Sequence, residues 1–177
     1  MIELKTLRLR DFTDDDIGHV FAGLSHPDVI RHYGVSYATL QECQAQMAWF
    51  KSLRDNDSGQ WMALEALSGG AFLGAVGVSS LLRQHHSAEL GYWLLPQFWG
   101  HGYMREALAG FLRHAFSELG LHRISAVVEV DNTASRKLLD ALNFTMEGVQ
   151  RDCEIKHGKY ISLLSYSLLS SDPQSPY

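Results

Sequence analysis

Cysteine is scarce in this chain: Cys43 and Cys153 are the two in 177 residues. They lie far apart with no CxxC pair, so neither a disulfide framework nor a zinc cluster is indicated. A reduced, cytoplasmic compartment is the expectation that follows. Proline is scarce too, with four, and no Pro-rich stretch reads as a linker. Long apolar runs are missing. The longest uninterrupted run of apolar residues and glycine, Gly69 to Val78, falls well short of the ~20 residues that a spanning helix needs. The first residues, MIELKTLRLRDF, contain no apolar signal-peptide core. A basic excess is also lacking: 15 Lys and Arg stand against 20 Asp and Glu, a net charge of −5. A nucleic-acid footprint would want the opposite balance.

What remains is the composition of one globular domain, expected over residues 1–169, with 170–177 (SSDPQSPY) as a flexible tail. Leu7 and Leu9 alternate with Arg8 and Arg10, which predicts one half-buried strand over 2–10. Thr13 followed by Asp14, Asp15 and Asp16 reads as a helix start, with carboxylates at the positive end of the dipole. That helix should stop before Pro27. Thr39 and Glu42 form a T-x-x-E pattern that opens a second helix, reaching about Arg54. Two apolar runs, 61–67 and 71–82, flank Ser68-Gly69-Gly70 and predict a hairpin. Another strand is expected over 88–95.

After Pro96 the period becomes helical, from Tyr103 to Leu119, with Gly120 to end the helix. A β-branched strand follows over 124–130 and a short helix over 133–142. Asn143 stands where a positive φ is wanted. Two strands close the chain, 145–155 and 160–169. This order points to an α/β (α+β) fold, a mixed sheet with helices on its faces.

The most informative stretch is Leu94 to Arg105, LLPQFWGHGYMR, between a strand and the long helix. Gln97, Gly100 and Gly102 punctuate it. Such a turn exposes several amides at a helix N-terminus, where the dipole favours an anion. No acidic side chain occurs from Leu94 to Met104. A Walker loop would need a Lys after the second glycine, and a dinucleotide fingerprint would need glycine where Arg105 stands. A phosphate or pyrophosphate site remains the expectation.

The pattern Q-x-x-G-x-G, with GYWL before it and DNTAS and NFTMEG after it, resembles the GNAT acetyltransferases. The likeness extends over nearly the whole chain. It is greatest to the ribosomal-protein alanine and serine N-acetyltransferases. That resemblance implies a centrally splayed sheet and acetyl-CoA as co-substrate. Amides from Gln97 to Met104, centred on Gly100, His101 and Gly102 and including Tyr103, would hold its pyrophosphate. The pantetheine arm would bond the backbone from Tyr92 through Leu94 to Leu95, with Asn132 as a further partner. His101 stands where relatives often carry Arg or Lys. Imidazole ordinarily titrates near neutrality, so acetyl-CoA would bind more tightly at pH 6 than at pH 8.

For catalysis, the resemblance implies that Ser135 donates to the leaving sulfur and that Glu154 is the general base. Glu89 and Glu65 are rival carboxylates, Tyr166 is a rival proton donor, and Glu147 and Tyr160 are further candidates. Ser162 replaces an Asp that relatives often carry. The acceptor implied is a protein N-terminal α-amine. A small amine (polyamine, amino acid or aminoglycoside) and a CoA-binding regulatory module without turnover stay open, as does monomer or homodimer. The nine histidines show no paired metal-ligand spacing, and no metal is expected.

Overall fold

The computed structural model describes residues 1–173. Those residues form an eight-stranded sheet in the order β1-β2-β3-β4-β5-β6-β8-β7. The strands are β1 (Ile2–Glu3), β2 (Leu7–Arg10), β3 (Gln60–Ala66), β4 (Phe72–Leu82), β5 (Ser87–Leu94), β6 (Arg123–Glu129), β7 (Thr145–Lys156) and β8 (Lys159–Leu169). The helices are α1 (Ile17–Leu24), α2 (Pro27–Ile30), α3 (Leu40–Asp55), α4 (Tyr103–Ser117) and α5 (Thr133–Ala141).

Helices cover both faces of the sheet, which is why β3 and most of β4 are buried without alternation. Met62, Leu64, Val76 and Leu90 meet Leu108, Phe111 and Leu112 of α4 and Leu139 of α5. On the other face Trp61, Ala63, Ala75 and Trp93 meet Val20 and Leu24 of α1 and Cys43, Phe50 and Leu53 of α3. Burying a side chain such as Phe111, fully enclosed, is worth roughly 1.5–3 kcal/mol.

Local signals account for most element ends. Thr39 caps α3 by accepting from Glu42 N at 3.2 Å, while the Glu42 carboxylate reaches back to Ala38 N at 2.9 Å. Asn143 has φ 64° after α5, a conformation that Asn tolerates.

Two expectations needed correction. The first strand is a pair, because Leu4 N donates to Leu7 O at 2.9 Å and turns β1 back onto β2. Pro27 does not only end a helix. It opens the short α2 at its first position, with His26 Nδ1 accepting from Asp28 N.

At the C-terminus, Ser170 N donates to His122 O and Asn143 Nδ2 to Pro173 O. The rest of the expected tail, 174–177, lies outside the described residues. No described helix is long and apolar enough to cross a membrane.

The centre of the sheet parts. β5 and β6 are parallel but pair only at Ser87↔Arg123, Ala88↔Ile124 and Glu89↔Ser125. Beyond that point β5 stays with β4 as far as Leu94, and β6 stays with β8 as far as Glu129. The two strands therefore open a gap with backbone groups on both sides.

Candidate active site

A cleft of about 1090 Å³ runs through this gap. Its lining includes Glu89, Tyr92, Leu94, Gly100, Gly102, Tyr103, Met104, Asn132 and Ser135, eight of them residues of the glycine turn, the opened strands and α5. The far end is walled by the segment from Asp28 to Tyr37 and by Trp49 and Trp61.

The turn itself is built from a short 3-10 segment, Pro96–Phe98, and two glycines in the left-handed region. Gly100 has φ 78° and Gly102, the residue capping α4, has φ 81°. A Cβ at either would meet nothing. The backbone conformation, not crowding, is what calls for glycine. The amides at the start of α4 have no intrahelical acceptors in helix geometry and suit an anion. The nearest acid on α4, Glu106, is engaged elsewhere: its carboxylate accepts from Thr6 N at 2.7 Å and Thr6 Oγ at 2.6 Å. The chemistry of this cradle therefore fits a pyrophosphate. The gap beside Tyr92–Leu94 fits an extended amide-bearing arm, bonded as an added strand would be.

The structure sorts the expected residues. Leu95 leaves the cofactor-facing set, because its amide donates to Leu73 O and its carbonyl accepts from Phe98 N. Leu94 O accepts from Trp99 Nε1 at 2.9 Å, which ties the turn to β5. Gln97 and His101 are exposed and do not line the cleft. The His101 ring stacks on Tyr103 with centroids 5.9 Å apart. Asn132 caps α5 by accepting from Ser135 N at 3.1 Å, and it lines the cleft as well.

Ser135 Oγ lies 2.6 Å from Tyr92 Oη, across the gap from α5 to β5. Burial pushes the Tyr92 hydroxyl up to about 12, against the Ser135 hydrogen bond and helped by the nearby Tyr166. Tyr166 is itself buried on β8 and stays out of the cleft.

The carboxylates separate clearly. Glu89 lines the cleft at the last paired residue of β5 before the strands part. Glu154 does not: it lies exposed on β7, the edge strand. Glu65 is nine-tenths buried on β3, where hydrogen bonds from Arg10 and Arg8 hold its carboxyl below the usual range against burial. The Arg123 guanidinium and Ser167 hydroxyl lower Glu147 to about 2. Both are structural anions. Tyr160 is exposed on β8.

One cluster escaped sequence reasoning. Glu129, at the end of β6, accepts from Lys156 Nζ at 2.5 Å and meets His32 Nδ1 at 2.7 Å. Burial would raise this carboxyl, but the Lys156 and His32 hydrogen bonds outweigh it and hold it low. Lys156 also donates to Arg31 O at 2.5 Å, so the ends of β6 and β7 anchor the segment walling the cleft. No spacing rule joins positions this far apart. Among the described residues no group of three or more His, Cys, Asp or Glu is placed to hold a metal ion.

Residues 6–145 match the family described as the acetyltransferase (GNAT) domain. An uncharacterized N-acetyltransferase of Bacillus subtilis, YoaA, is 32% identical over 170 residues, 96% of each chain. Among solved structures, the ribosomal-protein α-N-acetyltransferase RimL, in complex with coenzyme A, superposes with a TM-score of 0.86 at 20% identity over 95% of this chain and 97% of that one. A spermidine N-acetyltransferase from Vibrio cholerae, in complex with CoA and spermine, gives 0.84 at 20% identity over 93% and 96%.

Proposed function

The chain belongs to the GNAT acetyltransferase family and is an acetyl-CoA-dependent N-acetyltransferase; we propose that it acetylates protein or peptide N-terminal α-amines, in the cytoplasm. The observation that carries this reading is the placement of Glu89 and the Tyr92–Ser135 pair in one cleft with the charge-free glycine turn. The similarity in fold to RimL, named for acetylating a ribosomal protein, also supports it.

Acetyl-CoA supplies a thioester carbonyl. Turn amides from Gly100 to Met104 would hold its pyrophosphate, and the backbone of Tyr92 and Leu94 its arm. Glu89 takes a proton from the incoming ammonium, directly or through one water, leaving a neutral nitrogen to attack. An α-amine, with a pKa of ~7.7–8.0, asks little of such a base; an amine near ~10.4 asks for much more. The new N–C bond forms and the C–S bond breaks, the electron pair leaving on sulfur, and the second proton of the acylated nitrogen passes to that thiolate. Ser135 donates a hydrogen bond to that sulfur, with Tyr92 orienting the serine.

The test is thiol release from acetyl-CoA with free peptides, N-terminally blocked peptides and spermidine. Release with the free peptides alone supports the proposal. Release with spermidine alone contradicts it.

A further inference from the structure

The wall at the far end of the cleft belongs to one half of the parted sheet and is tied to the other. Val29 is buried in the core that α1 and α3 form with β3, β4 and β5, and Tyr33 and Tyr37 pack against that core. Tyr37 N donates to Leu24 O at 3.0 Å, and Tyr37 Oη to Gln46 Oε1 at 2.9 Å. From Arg31 to Thr39 the chain carries no helix or strand, and Gly34, Val35 and Ser36 are exposed. A segment with so little buried surface opens at low cost unless something else holds it.

That hold comes from across the gap. Ala126 and Val128 of β6 pack into the α4–α5 core, so strand alternation turns Glu129 to the α1–α3 face, where the wall lies. Its carboxylate meets His32 Nδ1 at 2.7 Å and accepts from Lys156 Nζ at 2.5 Å. Lys156, at the end of β7, also donates to Arg31 O at 2.5 Å. Two successive residues of the wall are thus bound by two strands of the opposite half. The side chains of His32, Glu129 and Lys156 are only 23%, 16% and 22% exposed. This is not the solvated ion pair that contributes little. Removing one member leaves a partly buried charge unmatched.

The cofactor cradle is built from other parts: the glycine turn, β5 and the starts of α4 and α5, the helices of the opposite face. Glu129 reaches Asn132 through its main chain, its carbonyl accepting from Asn132 N at 2.9 Å. That bond survives substitution of the side chain. Resting on the reading of the cleft as an amine acetyltransferase site, we infer that Glu129 is a positioning residue whose side chain clamps the wall across the parted strands. The clamp holds the amine acceptor, not acetyl-CoA, in place for transfer.

Glu129→Gln, Lys156→Met and Lys156→Arg are compared with the parent. Coenzyme A binding is read by titration calorimetry, and acceptor KM and kcat by thiol release with Ala-Ala-Ala and with spermidine. Backbone hydrogen exchange of residues 28–37 is followed by mass spectrometry. In Glu129→Gln and Lys156→Met the acceptor KM should rise about tenfold, while coenzyme A binds within about twofold of the parent. Exchange should quicken within 28–37. Lys156→Arg keeps a cation that can bond the carboxylate, and its acceptor KM should stay within about threefold of the parent.

A merely structural role would weaken cofactor and acceptor together and quicken exchange across the sheet. That result overturns the inference, as does an unchanged acceptor KM or a loss in Lys156→Arg as large as in Lys156→Met. The two readings fail separately. Turnover of spermidine alone contradicts α-amine acetylation, and the clamp then stands or falls on the KM for spermidine. If the parent turns over neither amine, the transfer reading falls. Quickened exchange of 28–37 in Glu129→Gln then still supports the clamp, and unchanged exchange overturns it.

Discussion

The hydroxyls of Tyr92 and Ser135 lie 2.6 Å apart and join β5 to α5 across the cleft. With its ionisation pushed up to about 12 by burial, Tyr92 is a neutral phenol at pH 7. Either hydroxyl can donate in this pair; with Tyr92 as the donor, the serine proton would be free to point toward a leaving thiolate. Ser135→Ala should lower kcat roughly 10²-fold, and Tyr92→Phe about 3–10-fold, with the KM for acetyl-CoA nearly unchanged. If Tyr92 acts through the serine, the double variant is no slower than Ser135→Ala alone. Steady-state kinetics of the three variants check this.

Position separates the two carboxylates Glu89 and Glu154. Glu89 lies in the cleft where β5 and β6 part, and Glu154 is exposed on the edge strand. Glu89→Gln should lower kcat roughly 10²-fold at neutral pH, while Glu154→Gln stays within about twofold of the parent. Equal losses in both variants would return Glu154 to the site.

The glycine turn gives a test of cofactor binding. Gly102 has φ 81° with open space around its missing side chain. Alanine there brings strain without a clash, about 1–2 kcal/mol. Thermal unfolding of Gly102→Ala should fall by about 2–8 °C. The KM for acetyl-CoA should rise several-fold, because the amides at the start of α4 are re-aimed. An unchanged KM would place the pyrophosphate elsewhere.

Stability should fall in acid, and the sign follows from the ion pairs. Glu147 is lowered from 4.5 to about 2 by Arg123 and Ser167, and Glu65 is held low by Arg10 and Arg8. A depressed carboxyl stabilises the fold at pH values above its unfolded value. That stability is lost as pH falls toward the folded value. The midpoint of thermal unfolding should therefore drop between about pH 4.5 and pH 2. Glu147→Gln should show a shallower drop, measured by circular dichroism across that range.

The helices and most strands were legible because their causes are local. The Thr39 cap, the stripe along α4 and Asn143 after α5 each act within a turn or two of chain. Pro27 misled because a proline that stops one helix can open the next. The turn that opens α4 was readable from Gly100 and Gly102, both in the left-handed region. The Tyr92–Ser135 bridge and the Glu129–His32–Lys156 cluster were not, since tertiary packing alone brings such distant positions together. Glu154 failed as a cleft residue for the same reason: strand periodicity says which residues alternate, but not which edge of the sheet a strand occupies.

Acetyl transfer from acetyl-CoA to an α-amine in the gap between β5 and β6 is the proposal on which these predictions rest. Mass spectrometry of a peptide after incubation with acetyl-CoA and either the parent chain or Ser135→Ala tests it most directly. One acetyl group on the peptide α-amine, formed far more slowly by the variant, is the predicted result. Bound coenzyme A with no acetylated peptide or small amine would contradict it.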